Sequence, residues 1–194
     1  AVAVGKSALA ALTSGAQNTA VGYLALATMT TGDGNTAIGY EAADAFGNDE
    51  QYNTVVGMGA MGAMDEGTGG SDVDSNVAIG YDALRGADCQ SVDVQIGGNI
   101  AIGNSALCST STNGQVGTIA IGHQALTSLT TGAGNTAVGY QAGDNLDGGH
   151  RNTLLGYQAL SAEDGHGYNV AVGYQALLAQ NAGADAGNTA VGYK

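Results

Sequence analysis

Asn135-Thr136-Ala137-Val138-Gly139-Tyr140-Gln141-Ala142 is one of eleven variants of a single phrase that runs through the chain from end to end. The copies begin at Ala1, Asn18, Asn35, Asn53, Asn76, Asn99, Thr118, Asn135, Asn152, Asn169 and Asn188, most often 17 residues apart and twice 23 apart. A period this short and this sustained is the mark of a solenoid in which each copy is one coil.

The type of coil follows from which positions vary. Counting from the start of each copy, the second position is β-branched and the fourth aliphatic in all eleven. Two positions so spaced share a face only in a strand. Between them stands Ala in nine copies, and after them Gly in all eleven. The expectation is a short strand with positions two and four turned into the coil and a nearly bare Ala face turned outward, ending at a Gly bend.

A second short strand is expected after the bend. Its marker is the eighth position, Ala in all ten complete copies and mostly followed by Leu, where small residues let the two walls of a flattened coil lie close. Coils stacked in parallel register at about 4.8 Å each give an all-β parallel β-solenoid of about eleven coils, roughly 50 Å long. A helical reading fails, because Gly costs a helix about 1 kcal/mol wherever it falls inside and this chain has 34. Asn in nine of the eleven first positions fits a coil corner, where each amide bonds to the one above and below or the residue adopts a left-handed turn.

With one Phe and no Trp or Pro, so thin a coil builds no thick core. The outward stripe of Ala20, Ala37, Ala78, Ala101, Ala120, Ala137, Ala171 and Ala190 is therefore expected to be a subunit contact.

At these residues the chain resembles known repeats. Asn76-Val-Ala-Ile-Gly80, Asn99-Ile-Ala-Ile-Gly103 and Thr118-Ile-Ala-Ile-Gly122 resemble the head repeat of trimeric autotransporter adhesins of the YadA-like type. Gly134-Asn-Thr-Ala-Val-Gly-Tyr-Gln-Ala142 resembles still more closely the repeats of phage and viral tail fibres. The resemblance implies a left-handed β-roll packed as a homotrimer, in a segment without catalytic residues at the motif positions. The 17-residue period is longer than that of adhesin heads and favours the viral-fibre branch. Val55 and Leu154 replace the small third residue, so a trimer contact there would have to widen.

Charge narrows the partners. Seventeen acids against four bases give −13, which opposes nucleic-acid binding because phosphate contacts need Lys and Arg. Most acids fall between copies, as a solvated surface. No apolar run is long enough to insert in a membrane. The chain opens and closes inside a copy, as a segment of a longer protein would.

Single features carry alternatives. Residues 1–194 are expected to form one repeat domain with inserted loops at 62–75 and 85–98, where Ser91 to Ile96 alternates like an added strand; these are either seats of recognition or tolerated surface insertions. Asp72 and Asp74 follow a Gly-rich run and alternate as oxygen donors, so calcium is the cofactor to weigh against a plain solvated loop. Cys89 and Cys108 lie in adjacent coils, either bridged or as two free thiols. His150 and His166, with Asp147 and Asp164, are either a metal site or solvent histidines. Tyr23, Tyr40, Tyr81, Tyr140, Tyr157, Tyr174 and Tyr193 share position six, as a structural stack or a sugar-binding row.

The functional expectation is a non-enzymatic structural or adhesive segment of an extracellular or virion fibre, a homotrimer contacting a host glycan or protein receptor. The alternative is a self-assembling filament or an ice- or mineral-binding solenoid using the Thr column.

Overall fold

The computed structural model describes residues 1–64, 72–86, 95–110, 114–163, 165–180, 183–185 and 187–194. Among them there is no helix, and the fold is a parallel β-solenoid. The strands, in chain order, are β1 (Val2–Val4), β2 (Thr19–Val21), β3 (Thr36–Ile38), β4 (Thr54–Val56), β5 (Asp72–Asp74), β6 (Val77–Ile79), β7 (Gln95–Gly97), β8 (Ile100–Ile102), β9 (Gln115–Val116), β10 (Ile119–Ile121), β11 (Thr136–Val138), β12 (Thr153–Leu155), β13 (Val170–Val172) and β14 (Thr189–Val191). One strand from each copy joins an eleven-stranded sheet, while β5, β7 and β9 form a second sheet of three. Pairing is parallel and keeps position on position, so Ala101 lies between Ala78 and Ala120. The second sheet brings together the ends of the two longest loops and the next one; the start of the Ser91 to Ile96 run lies outside the described residues.

The strand faces are the reverse of the sequence expectation. Ala20, Ala37, Ala78, Ala101, Ala120, Ala137 and Ala171 are completely buried, and Ala190, in the last strand, is half-buried. Positions two and four point outward instead, with Val4, Ile38, Ile79 and Leu155 all exposed. The alanines therefore form the inside of the coil and cannot serve as the subunit contact. Thinness is the physical reason. The facing wall already fills the interior with buried Ala at position eight and large side chains at position nine, such as Leu84, Leu107 and Leu126. Only a methyl group fits opposite them at native packing density.

The two exceptions obey the same volume rule. Leu154 is fully buried where other copies have Ala, and position nine of the preceding copy is Gly143. A Cβ on Gly143 would lie 2.7 Å from a Leu154 methyl and 2.9 Å from one of Leu126. The same trade recurs at Val55, which is preceded by Ala43 in place of Leu. Volume is conserved across each pair, which is how a close-packed core accepts a large residue.

No second strand follows the Gly bend. Positions seven and nine take left-handed backbone even where the residue is not Gly, as at Gln141 (φ 51°), Leu126 (φ 51°) and Leu160 (φ 51°). Alternate residues then aim their amides at opposite neighbours. Gln141 N–H donates to His123 O in the coil before at 2.9 Å, whereas Leu126 N–H donates to Ala142 O in the coil after at 3.0 Å. Those bonds offset the steric cost of placing an L-residue there, about 1–2 kcal/mol.

Glycine at position five is demanded twice over. Its φ runs from 131° to 146° in all eleven copies, outside the range of other residues. Space is lacking too: a Cβ on Gly103 would lie 2.3 Å from the carbonyl oxygen of Gly122 in the next coil.

The corner is held by a buried asparagine ladder. Asn76 Oδ1 accepts from the backbone N–H of Asn99 at 3.0 Å and from its Nδ2 at 3.1 Å, and Asn76 Nδ2 donates to the Ile96 carbonyl at 2.8 Å. The same acceptor and donor pattern runs from Asn18 to Asn99 and from Asn135 to Asn152, while Asn169 Oδ1 accepts from the backbone N–H of Asn188 at 3.1 Å but its buried Nδ2 has no partner among the described residues. Thr118 interrupts it. Its backbone N–H still donates to Asn99 Oδ1 at 2.9 Å, but its own buried hydroxyl has no partner among the described residues.

Two predictions follow from these contacts. Gly103→Ala should cost at least ~3 kcal/mol, combining strain with a backbone clash, whereas Gly98→Ala, with nothing within 4 Å of the added carbon, should cost about 1 kcal/mol. Thermal unfolding followed by circular dichroism separates the two, and equal losses would contradict the close-approach argument. Thr118→Asn should restore the missing rung and stabilise by about 1 kcal/mol, while Asn76→Ala, which leaves buried groups unpaired, should destabilise by about 3 kcal/mol. Denaturant titration measures both, and a neutral Asn76→Ala would remove the ladder from the account.

Candidate binding site

The wall after the Gly bend carries three outward columns, at positions six, seven and ten. Position six is aromatic over much of its length. His123, Tyr140, Tyr157, Tyr174 and Tyr193 stack with ring centroids 5.1–5.2 Å apart, the spacing imposed by the coils. Tyr23 and Tyr40 form a shorter stack at 5.1 Å. Beside the long stack runs a glutamine ladder, Gln124, Gln141, Gln158 and Gln175, bonded amide to amide at 2.9–3.0 Å.

Stacking decides what these rings offer a ligand. Within a stack each face is covered by the next ring, so solvent meets ring edges and hydroxyls. A sugar that packs on a flat aromatic face finds none along a continuous stack. Free faces exist only where the column is interrupted.

The main interruption is at coil four, the copy beginning at Asn53. There position six is Met58, position seven Gly59 and position ten Gly62, and the missing side chains open a cleft of about 550 Å³. Tyr40, Glu41 and Asp44 line it from coil three, and Tyr81, Asp82 and Arg85 from coil five. Tyr40 has Tyr23 on one face and the cleft beside the other, and Tyr81 has no stacked ring among the described residues. The carboxylates lean over the glycines from both sides. A Cβ on Gly59 would lie 2.5 Å from Asp82 Oδ1, and one on Gly62 would lie 3.1 Å from Asp44 Oδ1. Arg85 Nε is 3.9 Å from Asp82 Oδ1 on a largely exposed side chain.

The field in the cleft is negative. Burial, then the charge of Glu41, raises the pKa of Asp44, opposed by its own backbone N–H and by Arg85. A hydrogen bond to Glu41 and the charge of that carboxylate raise the pKa of Tyr40.

Other residues singled out in the sequence fall elsewhere. Asp72 and Asp74 are the ends of β5, and Asp74 Oδ1 accepts from the backbone N–H of Gln51 at 2.6 Å, a cap on the neighbouring loop. Among the described residues no three His, Cys, Asp or Glu side chains are grouped to hold a metal ion. Cys89 lies outside the described residues. Cys108 is half-buried, makes no disulfide among the described residues and has its Sγ 3.2 Å from Thr127 Oγ1. His166 Nδ1 is 2.7 Å from buried Glu163, and His150 packs edge-on against Tyr168 with its Nε2 3.9 Å from Asp185 Oδ2, while Asp164 lies outside the described residues. Sequence reasoning passed over the cleft, although Met58, Gly59 and Gly62 break three columns in one copy.

Comparison with family models, curated proteins and solved structures finds no match to this chain.

The raised pKa of Asp44 has a stability consequence. A carboxyl harder to ionise in the fold than in the unfolded chain costs stability above its folded pKa, and the cost fades as pH falls toward its ordinary value of 3.8. Asp44→Asn should therefore raise the melting temperature at pH 7 and flatten the gain the parent shows on acidification. Melting curves across that range test the sign; an Asn variant less stable at pH 7 would show that the carboxylate is net stabilising.

Proposed function

We propose that this chain is a non-enzymatic structural segment of an extracellular or virion fibre, assembled as a homotrimer through the outward face of the eleven-stranded sheet and meeting a host glycan or protein. The observation that carries this reading is the pair of columns at positions two and four. Position four is Val, Ile or Leu in every copy, in register along the whole sheet, with Val4 57%, Ile38 41% and Leu155 49% exposed. Such a stripe in water is unfavourable, since covering one Val or Ile side chain contributes about 1.5–3 kcal/mol. A second and third copy, parallel and at the same level, present the complementary spacing at every rung.

The repeat phrase supports the fibre setting by its resemblance to adhesin-head and tail-fibre repeats. Acidic loops, which give each chain −13, keep assembled rods apart and disfavour nucleic acid. The alternative, a surface that orders ice or mineral through outward Thr, has Thr19, Thr36 and Thr54 in its favour. Val77, Ile100, Ile119 and Val170 break that row.

Light scattering tests the assembly. The parent should have three times the 18.9 kDa mass of the chain, and Ile102→Glu combined with Ile121→Glu should give the monomer with its fold intact. A parent that scatters as a single chain ends this reading.

A further inference from the structure

The coil-four cleft has a chemistry distinct from the rest of the rod. Its walls supply three carboxylates, Glu41, Asp44 and Asp82, against one guanidinium, Arg85, a balance of −2 from three minus one. Repetition explains none of this, because the cleft exists only where Gly59 and Gly62 withdraw their side chains. The open face of Tyr40 and the unstacked ring of Tyr81 stand on either side, with the thioether of Met58 between.

Other ring surfaces in this chain show what such a place accepts. Lys6 Nζ sits 5.7 Å from the centroid of Tyr23, closing one end of the Tyr23–Tyr40 stack. Lys194 Nζ sits 5.9 Å from the centroid of Tyr193, at the end of the long stack. Arg151 lies over Tyr168 at 5.6 Å. Three of the four basic side chains thus cap a tyrosine, and the fourth, Arg85, lies at the cleft beside Asp82. The attraction is that of a cation for the negative face of a ring.

We propose that the cleft binds an organic ammonium group, carried on a short aliphatic or sugar framework that packs against Met58 and the tyrosine faces. Asp44 and Asp82 accept its hydrogen bonds from opposite sides. A bare metal ion fits poorly, because among the described residues no three His, Cys, Asp or Glu side chains are grouped to hold one, whereas calcium needs about six to eight oxygens at about 2.3–2.6 Å. An ammonium, whose N–H groups need only the two facing carboxylates, makes no such demand. A lysine side chain of a partner protein and an amino sugar carry the same group.

Amide shifts of the full chain, read by two-dimensional NMR during titration, test this. The probes are Nα-acetyl-lysine methylamide and D-glucosamine, with D-glucose as the neutral control. At least one amine should shift the amides of Gly59 and Gly62 saturably, with glucose inert. A response to the lysine derivative alone points to a protein side chain, and one to glucosamine alone to an amino sugar. Met58→Tyr fills the cleft with the residue that neighbouring coils already carry, and should weaken binding about tenfold or more while the remaining spectrum is preserved. Asp82→Asn, which keeps the volume and removes the charge, should weaken it by a similar factor. Silence toward both amines, equal response to glucose, or parent-like binding by both variants would overturn the proposal. The cleft and the strand face occupy different walls, so failure here leaves the trimer test untouched, and the reverse.

Discussion

Everything else in this rod depends on the buried asparagines that stand at most of its corners. Parallel strands only three residues long pair weakly and can slip, and a slip of one residue would carry every Ala to the surface and every Val or Ile inside. Asn removes that freedom because its amide offers an acceptor and a donor at fixed places. The acceptor takes the N–H of the next corner, and the donor finds a loop carbonyl three residues before that corner. Away from the single Asn-to-Asn step in register, these groups would be buried without partners, at about 1–3 kcal/mol each. Loop length is thereby uncoupled from strand register: spacings of 17 and of 23 residues close on the same ladder.

Once the corner is fixed, interior thickness sets the remaining choices. Hydrophobicity alone ranks Val and Ile as more inward than Ala, and on that ranking the sequence suggests the wrong face. The fold inverts it because position nine already sends Leu or Met inward from the opposite wall. The clue was present as a correlation between copies. Gly143 precedes Leu154, and Ala43 precedes Val55, a trade of volume that has meaning only if positions nine and three meet inside the coil. Read one copy at a time, neither substitution signals anything.

The period, the parallel stacking, the Gly bends and the Asn ladder were all legible, because each rests on a residue type that few other settings require. The wall after the bend was not. Left-handed backbone at Gln141 or Leu126 runs against their local preference, and no side chain marks it. Stacking enforces it, through hydrogen bonds to the coils on either side that no single copy reveals. The cleft was missed for a related reason. Met58, Gly59 and Gly62 are unremarkable one by one, and become a site only when columns from three coils are laid side by side.

A regular solenoid offers the same chemistry at every level, so it can bind strongly along its length but cannot tell one level from another. Selectivity has to come from a break in the repeat. Here the breaks are gathered: the outward columns fail at coil four, and the two longest loops leave the rod from coils four and five, beginning at Gly62 and Arg85, which themselves line the cleft. The strand face on the other wall passes through these same coils without interruption, Val56 and Ile79 holding position four. These breaks therefore fall on the wall away from the face proposed for subunit packing. In the proposed trimer, that separation would let one wall stay packed while the other changes, and it would make the cleft the level at which the proposed ligand is told from the rest of the rod.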